Sequence, residues 1–208
     1  MKDKHSASAK SQDKMAVRIL SGLYRGRSLS CPPGSIVRPL RSRVRGAIMN
    51  SIVDHLRGAI LLDLFSGTGS LGLEALSRQA RFCLFVEKRG EVLDLLQDNI
   101  DRCDASHRSR ILPQNAYSLR LPDDAYGPFT LVFLDPPFAD MESQDCVDQL
   151  THLLTNIYSD GWITDDTLLV WHLPVSCDPH LPSSFISERV RNYGESQIRF
   201  LSMKPPEL

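Results

Sequence analysis

The sequence predicts an α/β fold, a mainly parallel sheet with helices on both faces and an antiparallel hairpin closing one edge. Three observations carry this expectation. From Ile60 onward, short apolar runs alternate with amphipathic helical segments at the spacing of βαβ units. The first run enters a glycine-rich turn, Leu-Leu-Asp-Leu-Phe-Ser-Gly-Thr-Gly-Ser-Leu-Gly at 61–72, with a helix pattern behind it. Four polar residues, Asp63, Glu87, Asn115 and Asp135, fall at or just past the ends of four successive strands. Open parallel sheets bind their ligands there.

In chain order, residues 1–15 are polar and charged and read as a disordered leader. They lack the apolar core of a secretory signal. Residues 16–57 form a basic N-terminal extension. In it Val17–Leu20 and Leu23–Ser30 read as two short strands around Ser21-Gly22, and Cys31-Pro32-Pro33-Gly34 is a break. Arg38-Pro39 leads into a helix with Val44, Ile48, Ile52, Val53 and Leu56 on one side and Arg41, Arg43 and Arg45 at its flank.

Residues 58–208 are the sheet domain. Its strands are expected at Ile60–Leu64, Phe82–Val86, Ser109–Pro113, Phe129–Leu134 and Thr167–Leu173, and its helices at Ser70–Ser77, Glu91–Ile100 and Cys146–Tyr158. Phe185–Val190 and Gln197–Met203 read as the closing hairpin around Asn192-Tyr193-Gly194.

A chain of 208 residues with 42% hydrophobic and 24% charged residues has the composition of a globular domain. No apolar run approaches the roughly 18 residues of a membrane span. The five cysteines are scattered and form no C-x-x-C pair or zinc spacing, so free thiols in a reducing cytoplasm, and no metal, are expected. The net charge of −1 hides an asymmetry: residues 1–57 hold 12 Lys/Arg against 3 Asp/Glu, and the remainder holds 12 against 22. A basic head on an acidic body suggests a polyanionic partner docked by the N-terminal part.

Gly67, Gly69 and Gly72 satisfy the G-x-G-x-x-G spacing of dinucleotide sites, and Glu87 stands where such proteins hold a ribose. Asp63 argues against a pyrophosphate. Two like charges about 4 Å apart repel by roughly 4 kcal/mol at an effective dielectric near 20. S-adenosylmethionine carries a sulfonium and an ammonium instead, so a carboxylate at the loop favours it. In that reading Asp63, Phe65, Gly67 and Gly69 form the loop around the donor, Glu87 accepts from the ribose hydroxyls, and Asn115 bonds the adenine edge.

Asp135-Pro136-Pro137-Phe138 follows the fourth strand. Its two prolines fix φ and remove two N–H donors. The Asp135 carboxylate and Pro136 carbonyl make an acceptor pair suited to an exocyclic amine on an aromatic ring. Such an amine is a poor nucleophile until acceptors on its hydrogens pyramidalise it. Asp135 can also take the released proton. Phe138 offers a face for a base, worth about 1–3 kcal/mol of stacking, once the base has left its own stack.

These motifs, with Val17–Arg27, Arg38-Pro39 and Arg43-Val44-Arg45, resemble the bacterial RsmD family from about Val17 to Met203. The resemblance implies a Rossmann-like class I methyltransferase fold with a seven-stranded sheet. It implies S-adenosylmethionine as donor, S-adenosylhomocysteine as product, and the N2 amine of a guanosine in 16S rRNA of an assembling small ribosomal subunit as substrate. Asp135, Pro136, Pro137 and Phe138 are then the catalytic set, and Arg25, Arg27, Arg38, Arg41, Arg43 and Arg45 the RNA contacts of a cytoplasmic monomer. The chain departs from the family pattern at Leu40, Arg41, Ser42 and Gly46, where the family has Thr-Thr-Asp and a Glu. N6-adenine methylation of DNA or RNA uses the same acceptor pair and stays open at this point, as does a non-catalytic RNA-binding assembly factor. A nicotinamide oxidoreductase is the more distant alternative.

Overall fold

A computed structural model of the chain describes residues 17–32 and 40–204. The leader, Arg38 and Pro39 lie outside the described residues. A two-stranded ladder, β1 (Val17–Arg18) and β2 (Ser28–Leu29), is followed by α1 (Ser42–Ser51) and α2 (Val53–Leu56). Then come β3 (Ile60–Leu64), α3 (Ser70–Ser77), β4 (Phe82–Val86), α4 (Gly90–Arg102), β5 (Ser109–Leu112), β6 (Phe129–Leu134) and α5 (Gln144–Ser159). The chain closes with β7 (Ile163–Pro174), β8 (Phe185–Tyr193) and β9 (Ser196–Met203).

The main sheet has seven strands in the order β5-β4-β3-β6-β7-β9-β8. The pairs β3–β4, β3–β6, β4–β5 and β6–β7 are parallel, whereas β9 runs antiparallel to both β7 and β8. The strand order reverses between β3 and β6, which opens a crevice at their carboxyl ends.

The central strands β3, β4 and β6 are almost wholly apolar because both faces are covered, with Asp63 of β3 and Thr130 of β6 as exceptions. Alternate residues point to opposite sides. Leu61, Phe85, Leu131 and Phe133 join one core, and Leu62, Leu64, Leu84, Val132 and Leu134 join the other. The N-terminal extension adds Ile19, Tyr24, Val44, Ile48 and Ile52 to the first core. Gly72 lets α3 lie against β4: a Cβ there would stand 2.3 Å from Phe85 Cε1 and 2.7 Å from Cys83 Sγ.

The extension is clamped to α3 through Glu74 and Ser77. Glu74 is fully buried and accepts from the Leu20 and Ser21 N–H groups at 2.7 and 3.1 Å. It also pairs with Arg78 at 3.0 Å and Arg45 at 3.7 Å. The Ser77 hydroxyl accepts from Tyr24 N–H at 2.9 Å. Gly22 has φ +82° and sits where a Cβ would fall 1.9 Å from the Ser77 carbonyl, so only glycine permits this approach.

Several expected bounds differ: β1 ends at Arg18, β7 begins at Ile163 and β8 runs on to Tyr193, and two further differences have a local cause. The second N-terminal strand shrinks to Ser28–Leu29, because Leu23–Arg27 turns back on itself through the bonds Arg25 N–H to Gly22 O and Arg27 N–H to Tyr24 O. The helix after Pro39 breaks at Ile52, whose φ of −119° rotates the stripe and leaves Val53 57% exposed. The five cysteines are free thiols. Among the described residues no helix is long and apolar enough to cross a membrane, and no cluster of three metal-ligating side chains occurs.

Candidate active site

A cavity of about 480 Å³ lies in the crevice at the carboxyl ends of the parallel strands. Phe65 and Gly67 after β3, Glu87 after β4, Asn115 after β5, and Asp135 and Phe138 after β6 all line it. Four separate loops thus bring the expected residues to one wall, because in-register parallel strands end at one level. The volume falls in the range of small-molecule sites.

The turn after β3 is built from left-handed residues. Phe65 has φ 64°, Gly67 54° and Gly69 77°. A residue with a Cβ adopts that conformation at a cost of about 1–2 kcal/mol, and the packed Phe65 ring, edge-on to Tyr117 at 5.0 Å, accompanies it. The amide donors of the three glycines are already occupied. Gly67 N–H donates to Glu87 Oε2 at 3.0 Å, Gly69 N–H to the Ser66 carbonyl at 2.8 Å, and Gly72 N–H to Asp63 Oδ2 at 3.0 Å. Glu87 Oε1 accepts from the Lys88 and Arg89 N–H groups at 2.8 and 2.9 Å, so the carboxylate is held rigidly at the cavity wall.

The structure corrects the expectation for Asp63 and Gly69, neither of which lines the cavity. Asp63 is buried behind the turn, where it braces the start of α3 through Gly72 and leaves Oδ1 buried without a partner. Burial pushes its carboxyl well above the ordinary range; the neighbouring charges of Asp135 and Glu87 add to this, and the Gly72 N–H opposes it. Gly69 faces α4, where a Cβ would meet Leu96 Cδ1 at 2.6 Å. Its requirement is helix packing. The carboxylate that does reach the cavity from this side is Glu87.

At the fourth strand the Asp-Pro-Pro-Phe turn is closed by its later carbonyls. Pro137 O accepts from Asp140 N–H at 3.0 Å and Phe138 O from Met141 N–H at 3.1 Å. The Pro136 carbonyl takes none of these loop bonds among the described residues. Tyr117 donates to Asp140 at 2.9 Å, and burial and that carboxylate both push its phenol pKa up, so it stays a neutral donor. Asp135 Oδ1 lies 2.6 Å from His172 Nδ1, and His172 Nε2 lies 2.9 Å from the Ser196 hydroxyl. The His172 ring also packs against Phe138, with centroids 4.9 Å apart.

His172 and Ser196 are site residues that the sequence pattern did not single out. The rule that pointed to Asp63, Glu87, Asn115 and Asp135, a polar residue ending an apolar strand, also points to His172 after Leu168–Trp171. Asn99, which does not line the cavity, supports it from behind: it donates to the carbonyls of Thr68 and Ser30 at 3.0 Å each and so ties the glycine turn to the extension. A helical Asn carries no sequence signal for that role.

The expected RNA contacts divide. Arg25, Arg41 and Arg43 are exposed, and Arg41 reaches the cavity wall. Arg27 is exposed but donates to the Arg102 carbonyl at 2.6 Å. Arg45 is a correction: it is fully buried, paired with Glu74 and bonded to the Arg18 carbonyl, because its helix position faces α3. It offers nothing to a phosphate. The departures from the family pattern leave α1 with no side-chain cap bond and no acid in its first turn, so the cavity rim there is basic.

The strand order, the antiparallel β9 and the crevice site define a class I methyltransferase fold. An RNA methyltransferase from Salinibacter ruber solved with S-adenosyl-L-homocysteine shares that fold at 14% identity, with a TM-score of 0.60 over 82% of this chain and 96% of that one. Within that class, a family model described as conserved hypothetical protein 95 matches residues 17–202, and the chain belongs to this family, the RsmD family. It is 31% identical to ribosomal RNA small subunit methyltransferase D of Escherichia coli K12, over 88% of each chain. The solved structure of yhhF from Escherichia coli is also 31% identical, with a TM-score of 0.75 over 91% of this chain and 98% of that one.

Proposed function

We propose that this chain transfers a methyl group from S-adenosylmethionine to the N2 amine of a guanosine in 16S rRNA, acting as a cytoplasmic monomer on an assembling small ribosomal subunit. The observation that carries this reading is one cavity lined from both sides of β3: Glu87 and Asn115 follow β4 and β5 on one side, and Asp135, Pro136 and Phe138 follow β6 on the other. The family's curated relatives named for methylation of small-subunit ribosomal RNA support the substrate class.

The residues present suit this donor better than a dinucleotide. A pyrophosphate site offers free loop N–H groups, whereas here Glu87, Ser66 and Asp63 occupy those of Gly67, Gly69 and Gly72. The Glu87 carboxylate at the cavity wall makes that side hospitable to a cation. When bound, S-adenosylmethionine supplies an electrophilic methyl group on sulfur. Glu87 would accept a ribose hydroxyl on the one acceptor site that its three backbone donors leave open, Asn115 would bond the adenine edge, and Phe65 and Gly67 would line the rest of the donor.

Phe138 stacks the extruded base, and the Asp135 carboxylate and Pro136 carbonyl accept the two amine hydrogens. The amine lone pair forms the new N–C bond as the C–S bond breaks, its electron pair going to sulfur. Asp135 takes the proton the nitrogen loses. Residues 16–57 dock the RNA through Arg25, Arg27, Arg41 and Arg43, with residues 58–208 as the catalytic domain.

Incubation of undermodified small subunits with the protein and methyl-labelled donor, followed by nucleoside analysis, tests the assignment. N2-methylguanosine in 16S rRNA is expected. Labelled N6-methyladenosine would transfer the same geometry to adenine, and no label in any nucleoside would reject the reading.

A further inference from the structure

We infer that His172 is a positioning residue for Asp135, with Ser196 holding its tautomer, a role that rests on the amine-methylation reading above. Three adjacent strands deliver the three side chains. Leu134 of β6 is the register partner of Trp171 of β7, so Asp135 and His172 follow as the next neighbours at the carboxyl end. Pro174 of β7 is paired with Ser196 of β9, which brings the serine hydroxyl to the far side of the imidazole. The separations are 2.6 Å from Nδ1 to Asp135 Oδ1 and 2.9 Å from Nε2 to the Ser196 hydroxyl.

The chemistry follows from which atoms donate. A carboxylate accepts only, so the proton toward Asp135 sits on Nδ1, and in that tautomer Nε2 is left to accept from the Ser196 hydroxyl. The ring is buried and packed against Phe138, which holds its plane. Asp135 is the more open to the cavity, its side chain being 26% exposed against 8% for His172. The imidazole thus secures Oδ1 and leaves Oδ2 for the amine. Without it the carboxylate is free to rotate about its Cβ–Cγ bond, and the two-acceptor arrangement with Pro136 holds for only part of the time. His172 also supports the Phe138 face, so the same ring aligns the base and its acceptor.

The test compares His172→Asn, which keeps an N–H donor near the Nδ1 position, with His172→Leu, which removes it. Turnover on undermodified small subunits and donor affinity in the absence of RNA are measured on the full chain. Leu is expected to lower kcat about 10- to 100-fold, the size of loss seen when the partner that orients a metal-ligating side chain is removed. KM for the subunit and donor Kd stay near wild type, and Asn recovers most of the rate. Equal losses in the two variants, or a loss that falls on donor Kd, would overturn the role.

A second measurement needs no turnover. In ¹⁵N-histidine spectra of the wild-type protein, His172 is expected as the Nδ1–H tautomer, and Asp135→Asn is expected to redistribute it. An Nε2–H tautomer in the wild type overturns the proposal. Absence of methyl transfer by the wild type with the Nδ1–H tautomer present rejects the assigned reaction and leaves the positioning interaction standing.

Discussion

Asp135 and Asp63 are carboxylates at the ends of neighbouring strands, yet their surroundings give them opposite tasks. Asp135 faces the cavity and is oriented by His172. Replacing it with alanine is expected to lower turnover by about 10²- to 10⁴-fold through impaired proton handling, with donor affinity retained. Near-normal methylation by that variant would sink the mechanism. Asp63 is sealed behind the glycine turn with its carboxyl pKa pushed up by burial. The folded protein therefore holds that proton to higher pH than the unfolded chain does. Its contribution to stability is complete below the ordinary carboxylate value of about 3.9, and it fades as pH rises through the folded value. Asp63→Asn cannot ionise, so the fall in urea midpoint from acid to neutral pH should become shallower in that variant. An unchanged pH profile of stability would mean that Asp63 is not the group responsible.

At the scale of elements, α3 is the part on which the others converge. Its N-terminus is braced by Asp63, Gly72 fits it to β4, and Glu74 and Ser77 clamp the N-terminal extension. The Arg45–Glu74 pair is fully buried on both sides. Removing one charge strands the other, at a typical cost of about 3–5 kcal/mol. Glu74→Gln should accordingly destabilise the whole domain in urea unfolding. A loss below about 1 kcal/mol, the range of exposed pairs, would mean that water reaches Arg45. Much of this element scale is legible in the sequence. The strands Ile60–Leu64, Phe82–Val86 and Phe129–Leu134 and the helix Ser70–Ser77 stand where the apolar pattern puts them, because burial on both faces selects apolar side chains at nearly every strand position. Arg45 departs from expectation because a helix flank in sequence does not say which neighbour will cover it.

Across the whole molecule, a basic rim leads into an acidic crevice. Arg41 reaches the cavity wall, and Arg25 and Arg43 are exposed on the extension packed beside it. Replacing Arg41 and Arg43 with alanine should weaken RNA binding and reduce the slope of log K against log salt by about 1 for each phosphate left unneutralised. Filter binding or anisotropy titrations over a range of salt read this directly, and an unchanged slope would reject α1 as part of the docking surface.

The sequence by itself determined the strand order of chemistry: an apolar run, then a polar residue, four times over, with glycines and prolines at the turns. Period-two burial and turn chemistry are local, so composition and spacing carry them. Only the tertiary structure decided which polar residues look into the cavity. It placed Glu87 there and Asp63 behind the turn, buried Arg45, and brought His172 from β7 against Asp135 and Ser196 from β9 against His172. Those outcomes depend on how separate strands align and which helix covers which face. Hydrogen bonds between residues 37 and 24 positions apart leave no trace in the spacing of either segment.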